Sequence, residues 1–267
     1  MKNRIKSLLN NAKRLFEVPS CAACATRLSP FPQKENATGD YVCLCPDCAG
    51  KWHTAKSKMC PKCSETAEKC VCTPKFFKKH QDHIPSVCFY SAGSGNVPTK
   101  TVLTLKYRKS GDLVRFLASE LAPRIKELLN SKNISAEECI VTWMPRRRSN
   151  LKKYGFDHSE RLAMCIANEL GIPLVPMFKH RGKAEQKNLD KTLRRQNAES
   201  SIILKNRTRI NGKKANVGEA VKGRSVIIID DIITTGATLR RGVLLTMPLK
   251  PKSVICATVS KSPLKKE

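Results

Sequence analysis

Residues 226–238 read Val-Ile-Ile-Ile-Asp-Asp-Ile-Ile-Thr-Thr-Gly-Ala-Thr. Four β-branched apolar residues run into the paired carboxylates of Asp230 and Asp231, and a small, hydroxyl-rich turn follows. Thr234, Thr235, Gly236, Ala237 and Thr238 lead into a helical pattern, where unpaired backbone N–H groups favour an anion. Those N–H groups and three hydroxyls in a concave loop suit a monoester phosphate. The two acids suit a sugar diol or a metal. Acid pairs at strand ends also occur in metal-binding receiver domains and in ATPases. An ATPase needs a Gly-Lys-Ser/Thr phosphate loop as well. Gly95-Asn-Val-Pro-Thr-Lys-Thr lacks the Gly before its Lys, and no strong strand leads into it.

A second chemistry lies upstream. Of the 13 Cys, nine fall between Cys21 and Cys72. Eight of them form the pairs Cys21/Cys24, Cys45/Cys48, Cys60/Cys63 and Cys70/Cys72. A CxxC turn aims two thiolates at one point, and two such turns complete a tetrahedron around zinc. Eight ligands make two closed, structural zinc sites. Pairing neighbours and interleaving the pairs satisfy the stoichiometry equally. Cys43, His53, His80 and His83 are possible substitutes. The other Cys, at 88, 139, 165 and 256, read as core or surface thiols.

The elements that must position these groups follow from the patterning. A continuous apolar run at 225–230 reads as a strand buried on both faces of a parallel sheet, where ligands bind beyond the carboxyl ends. A helix at 237–247 and a strand at 253–259 follow it. Earlier, Leu113, Phe116, Leu117, Leu121, Ile125, Leu128 and Leu129 form one helical face. Cys139–Met144 and Pro173–Phe178 read as short strands, and Ile202–Leu204 as another. Asp157 caps a helix that runs to Leu170 and ends at Gly171. Residues 205–224 read as an exposed hairpin or loop. Strands alternating with helices predict an α/β fold with a mainly parallel sheet.

The organisation expected is therefore an N-terminal amphipathic helix in 1–18 and a Cys-rich module in 19–75. A linker in 76–100 and an α/β domain in 101–267 complete it. The helix rests on Ile5, Leu8, Leu9, Ala12, Leu15 and Phe16 at helical spacing. No secretory signal is apparent and no stretch approaches the roughly 20 apolar residues of a membrane span. These features and the paired Cys predict a reducing, cytoplasmic location, where clustered Cys argue for metal rather than disulfides. The net charge is +28, from 50 Lys and Arg against 22 Asp and Glu. That excess points to an anionic partner: nucleic acid, a phosphorylated metabolite or a membrane surface.

The stretch 226–238 resembles the phosphoribosyl-pyrophosphate (PRPP) motif of type I phosphoribosyltransferases. The resemblance implies that Asp230 and Asp231, as the catalytic pair, hold the ribose hydroxyls and that Thr234–Thr238 hold the 5′-phosphate. In that family the pyrophosphate loop follows an earlier strand. Here Ile140–Pro145 ends in Arg146, Arg147 and Arg148, whose cations suit a pyrophosphate. A four-pair Cys module before such a domain resembles the ComF family of competence-associated phosphoribosyltransferase-like proteins. Leu15-Phe16 before the first CxxC is similar to that family's entry into the module. Leu105-Lys106-Tyr107-Arg108 is similar to its Leu-Lys-Phe segment. Tyr154-Gly155-Phe156-Asp157-His158 takes the place of its Arg-Gly-Phe-Asn-Gln motif. Arg181, Gln186, Leu189, Arg194 or Arg195, and Asn197 resemble its flexible segment. The departures are Tyr154 for Arg, Asp157-His158 for Asn-Gln, and Met144-Pro145 for a Pro-Val-Pro entry.

The family implies PRPP and Mg²⁺ as ligands, a role in DNA uptake, and competence proteins as partners. Transfer would release pyrophosphate, with Arg146–Arg148, Arg181, Lys183 and Gln186 around the departing charge. The alternative is a non-catalytic PRPP sensor or a single-stranded-DNA-binding protein.

Overall fold

The apolar run at 226–229 is wholly buried, as its unbroken hydrophobicity requires. The computed structural model describes residues 19–29, 43–91, 93–181, 201–210 and 212–263. The helix expected in 1–18 lies outside the described residues. In chain order the elements begin α1 (Pro46–Lys56), β1 (Ser86–Phe89), α2 (Val97–Tyr107), α3 (Gly111–Ser131) and β2 (Cys139–Trp143). Next come α4 (Arg148–Tyr154), α5 (His158–Leu170), β3 (Phe178–His180), β4 (Ile202–Leu204), β5 (Arg207–Ile210) and β6 (Lys213–Asn216). The last are α6 (Val217–Val221), β7 (Ser225–Ile233), α7 (Ala237–Thr246) and β8 (Ser253–Lys261).

The main sheet has four strands in the order β1-β8-β7-β2, all parallel. Alternation along β7 splits its side chains between two cores. Ile227 and Ile229 join Leu113, Leu117, Leu121 and Ile125 of α3 and Leu162 and Ile166 of α5. Val226 and Ile228 join Leu239 and Val243 of α7, together with Phe77 and Val175. Burying each such side chain stabilises the fold by about 1.5–3 kcal/mol. The predicted apolar face of α3 is buried throughout. Helix α5 starts at Asp157, whose side chain accepts from the N–H groups of Ser159 and Glu160, and ends at Gly171 with φ +67°.

The Cys-rich module does not stand apart from this core. Trp52 packs on Phe116 of α3 with ring centroids 5.5 Å apart. Lys56 Nζ donates to both carboxylate oxygens of Glu120, at 2.9 and 3.0 Å. Thr104 Oγ1 of α2 donates to the Ala22 carbonyl at 2.6 Å.

Several segments differ from the sequence reading. The stretch expected as a linker, 76–100, supplies the edge strand β1 and the start of α2. Its Pro98 marks a helix start, where the missing N–H has no partner to lose. The strand expected at 173–178 shrinks to a bridge between Leu174 and Val141, because Pro173 and Pro176 cannot donate to a ladder. Phe178–His180 instead pairs antiparallel with Ile202–Leu204, outside the main sheet. Residues 205–224 contain the expected hairpin, as β5–β6, and add the short helix α6. Strand β7 runs three residues past Asp230, so the acids lie within it and the turn begins at Thr234.

Candidate functional site

The acid pair sits near the carboxyl end of β7, with Asp230 opposite Thr258 of β8. Both carboxylates are buried, Asp230 at 9% and Asp231 at 4% exposure. Charges so buried need partners. Asp231 Oδ2 has two: His158 Nε2 at 2.9 Å and Lys106 Nζ at 3.1 Å. Asp230 Oδ1 accepts from the Asp231 backbone N–H at 2.9 Å and faces Ser159 Oγ at 3.5 Å. The two acids therefore differ in how readily each holds a proton. Burial, and then the Asp231 charge, pushes the Asp230 carboxyl well above the usual range. Burial also pushes Asp231 upward. The His158 hydrogen bond and the Lys106 charge outweigh it and hold the Asp231 carboxyl below that range.

The turn follows directly. Thr234, Thr235 and Thr238 are exposed, while Gly236 is buried with φ +77°. The Ala237 N–H donates to Thr235 Oγ1 at 3.4 Å, and no side chain caps α7. The first N–H groups of this ten-residue helix thus face the loop. An oxyanion here meets backbone donors, hydroxyls and the positive end of the helix dipole.

The three Arg after β2 do not act as one cluster. Arg146 turns inward at 8% exposure. Its backbone N–H donates to Asp157 Oδ2 at 2.8 Å and its Nη1 to the Phe156 carbonyl at 3.3 Å. Its guanidinium lies 4.4 Å from the Tyr154 ring centroid, a cation–π contact. The Tyr at 154 is thus a platform for Arg146. Among the described residues, Arg146 Nε is buried without a hydrogen-bond partner. Arg147 and Arg148 are exposed where α4 begins. The pairing of Trp143 with Ile229 puts this turn beside the acid pair, one strand away. Arg181 is half-buried and its N–H donates to the Ser201 carbonyl at 2.7 Å. Lys183, Gln186, Leu189, Arg194, Arg195 and Asn197 lie outside the described residues.

Two partners of the acids did not enter the sequence-derived site: Lys106 and His158. Each lies inside a segment that resembles the ComF family, which is the signal that could have found them. Lys106 lies in the last turn of α2, and His158 opens α5 beside the cap Asp157. Asp157 thereby joins two parts of the site, since its carboxylate serves both the α5 N-terminus and the Arg146 backbone.

The eight paired Cys gather as neighbours. Cys21, Cys24, Cys45 and Cys48 form one group and Cys60, Cys63, Cys70 and Cys72 the other. In each group the four sulfurs lie within 4.8 Å of one another. Cys24 and Cys45 are 3.7 Å apart, as are Cys63 and Cys70. A zinc tetrahedron with bonds near 2.3 Å has sulfur–sulfur edges of about 3.8 Å. The donor sets therefore fit one tetrahedral ion each. The side chain and backbone of Thr26 pull the Cys24 thiol down to about 6, which favours the ligating thiolate. Cys43, His53, His80 and His83 stand outside both groups.

The described parallel sheet with its flanking helices is an α/β fold, beside which the Cys-rich module packs. The sequence profile of the family described as the phosphoribosyl transferase domain matches residues 157–267. That segment contains the acid pair and the turn. No curated protein matches the chain by sequence. Among solved structures, the chain is similar to the phosphoribosylpyrophosphate synthetase of Mycobacterium smegmatis. Identity is 21% and the TM-score 0.33, with 54% of this chain covered and 33% of the synthetase. It is also similar to the purine phosphoribosyltransferase of Pyrococcus horikoshii Ot3. There identity is 16% and the TM-score 0.31, with 58% of this chain and 93% of that one covered. No described helix is long and apolar enough to cross a membrane.

Proposed function

We propose that the chain binds PRPP and transfers its phosphoribosyl group with release of pyrophosphate. One observation carries this reading. The acid pair, the Thr234–Thr238 turn and the exposed Arg147 and Arg148 lie along one carboxyl edge of adjacent strands. Each part suits one part of the ligand. The acids take the ribose hydroxyls, the turn takes the 5′-phosphate, and the cations take the pyrophosphate.

The residues supply the following chemistry. Asp231 is held ionised by Lys106 and His158, so it accepts hydrogen bonds from a diol without a change of charge. Asp230 must lose its proton to do the same. An anionic pair beneath the ribose favours the positive charge that grows on the sugar as the anomeric bond breaks. Arg147, Arg148 and Arg181, with Lys183 and Gln186, stabilise the departing pyrophosphate. The oxygen donors of Asp230 and Asp231 suit magnesium, which when bound neutralises charge on the leaving group. Zinc in the two Cys groups is structural. The resemblance to the ComF family supports a role in DNA uptake, with competence proteins as partners, in a reducing cytoplasm.

Isothermal titration of PRPP with Mg²⁺ tests this reading. Binding is expected in the unaltered chain and is expected to be lost in Asp230→Asn and in Asp231→Asn. Unchanged affinity in both variants would refute the site.

A second reading, binding of single-stranded DNA, is favoured by the β5–β6 hairpin. Arg207, Arg209, Lys213 and Lys214 are all exposed there, and the exposed Lys179 shares a cleft with Arg207. No ion pair to these five is formed among the described residues. The two readings use different surfaces and are compatible.

A further inference from the structure

The second Cys group is built into the support of the Thr234–Thr238 turn. Pro74 and Phe77 follow Cys72 closely in the chain, and Phe77 is 1% exposed. A Cβ added at Gly236 would lie 2.6 Å from Phe77 Cε2 and 3.3 Å from Pro74 Cγ. Only a glycine leaves the ring room to touch the turn's backbone. The φ of +77° at Gly236 adds a second reason for glycine. Phe76 meets the first turn of α7, with the Arg240 guanidinium 5.3 Å from its ring centroid. Arg240 in turn donates its N–H to the Gly236 carbonyl at 2.8 Å.

The same segment is anchored at both ends. Downstream, Gln81 grips β8. The Cys256 N–H donates to its Oε1 at 2.6 Å and its Nε2 donates to the Cys256 carbonyl at 3.0 Å. Upstream, Lys261 Nζ, buried at 2% exposure, donates to the Cys70 carbonyl at 3.2 Å. Lys261 pairs with Ile233, the residue before Thr234. Cys72, Thr73 and Pro74 also share a small cleft with Ile233, Thr234 and Lys261. The first Cys group packs elsewhere, against α2 and α3.

We infer that an ion held by Cys60, Cys63, Cys70 and Cys72 fixes Pro74 and Phe77 behind Gly236, and so sets the shape of the phosphate-binding turn. Phe77 is a positioning residue, and the second Cys group is the anchor from which it acts. This rests on the reading of Thr234–Thr238 as a 5′-phosphate site.

Three measurements on the full chain test it: bound zinc, ribose 5-phosphate affinity and pyrophosphate affinity. A loop displaced by an ångström loses much of its function, so Phe77→Ala is expected to weaken ribose 5-phosphate binding about tenfold while pyrophosphate binding stays within about twofold. Both zinc ions remain in that variant, and Phe77→Leu restores most of the affinity. Cys63→Ser is expected to lose one zinc ion and to show the same selective loss. Cys24→Ser loses one zinc ion and keeps ribose 5-phosphate binding. A general loss of structure would weaken both ligands equally, and that outcome overturns the inference. So does unchanged binding in Phe77→Ala. If the unaltered chain binds neither PRPP nor ribose 5-phosphate, the site reading itself falls and takes this inference with it. If it binds them and the variants match it, only the inference falls.

Discussion

Asp230 and Asp231 are adjacent in sequence yet have opposite charge preferences. Among the described residues, Lys106 and His158 both reach Asp231, while Asp230 has a backbone N–H and a distant hydroxyl. The signs follow. The raised value at Asp230 favours the protonated acid in the folded, ligand-free chain. Its stabilising share is present in acid and is lost as pH rises through that raised value. The lowered value at Asp231 favours the carboxylate. Its share is present above the ordinary value of 3.8 and is lost as pH falls through the lowered one. A ligand that needs Asp230 ionised must release its proton. PRPP binding is therefore expected to tighten with pH, approaching tenfold per unit for one released proton. Titration calorimetry in buffers of different ionisation enthalpy reads that proton directly. Binding that releases no proton would contradict the assignment of Asp230.

Asp157 is where elements meet. Its Oδ1 caps α5 and its Oδ2 holds the backbone of Arg146 at the end of β2. Removing it leaves N–H groups of both elements without their acceptor. Loss of an N-cap alone costs about 1 kcal/mol, and an orphaned buried N–H adds about 1–3 kcal/mol. Asp157→Ala is expected to lose about 2–4 kcal/mol in urea unfolding, and Asp157→Asn about 1 kcal/mol less, because Asn keeps the cap but not the acceptor for the Arg146 N–H. Equal losses in the two variants would show that the cap contributes nothing. At this scale much was legible. The α3 face, the α5 caps and the apolar run of β7 are set by neighbours in the chain, and local patterning reads such neighbours. The strand expected at 173–178 was not legible in the same way. Its apolar residues look like a strand, but Pro173 and Pro176 deny it a ladder. Phe178–His180 finds its partner strand at Ile202–Leu204.

Over the whole molecule the charge is lopsided. The site described above uses a handful of cations, and the excess of +28 is far larger. The exposed Arg and Lys of the β5–β6 hairpin form one local concentration of it. If single-stranded DNA uses that hairpin, affinity falls with salt by a slope of about −0.7 per phosphate contacted. Replacing Arg207, Arg209, Lys213 and Lys214 by Ser is then expected to flatten the slope by up to about 3. Fluorescence anisotropy of a labelled oligonucleotide over a salt series measures it. An unchanged slope would move the DNA surface elsewhere. PRPP binding is expected to survive the same change, since the hairpin contributes nothing to the acid pair or the turn. The Cys-rich module also belongs to this scale. Trp52 of the module and Phe77, just after it in the chain, contribute to the two cores that flank the sheet.

The sequence by itself determined the acid pair, the Thr-rich turn after it, the four Cys pairs and an α/β order of elements. Each depends on residues close together in the chain. Tertiary structure decided the rest. Four equivalent Cys pairs have no sequence-level reason to prefer neighbours, but the folded module brings neighbours together. Lys106 reaches Asp231 only because α2 ends over the carboxyl edge of β7. Arg146 reads as a free cation beside Arg147 and Arg148, yet packing turns it inward against Tyr154 and Phe156. Phe77 touches Gly236 across more than half the chain. Contacts over such distances are chosen by packing, and no local pattern encodes them.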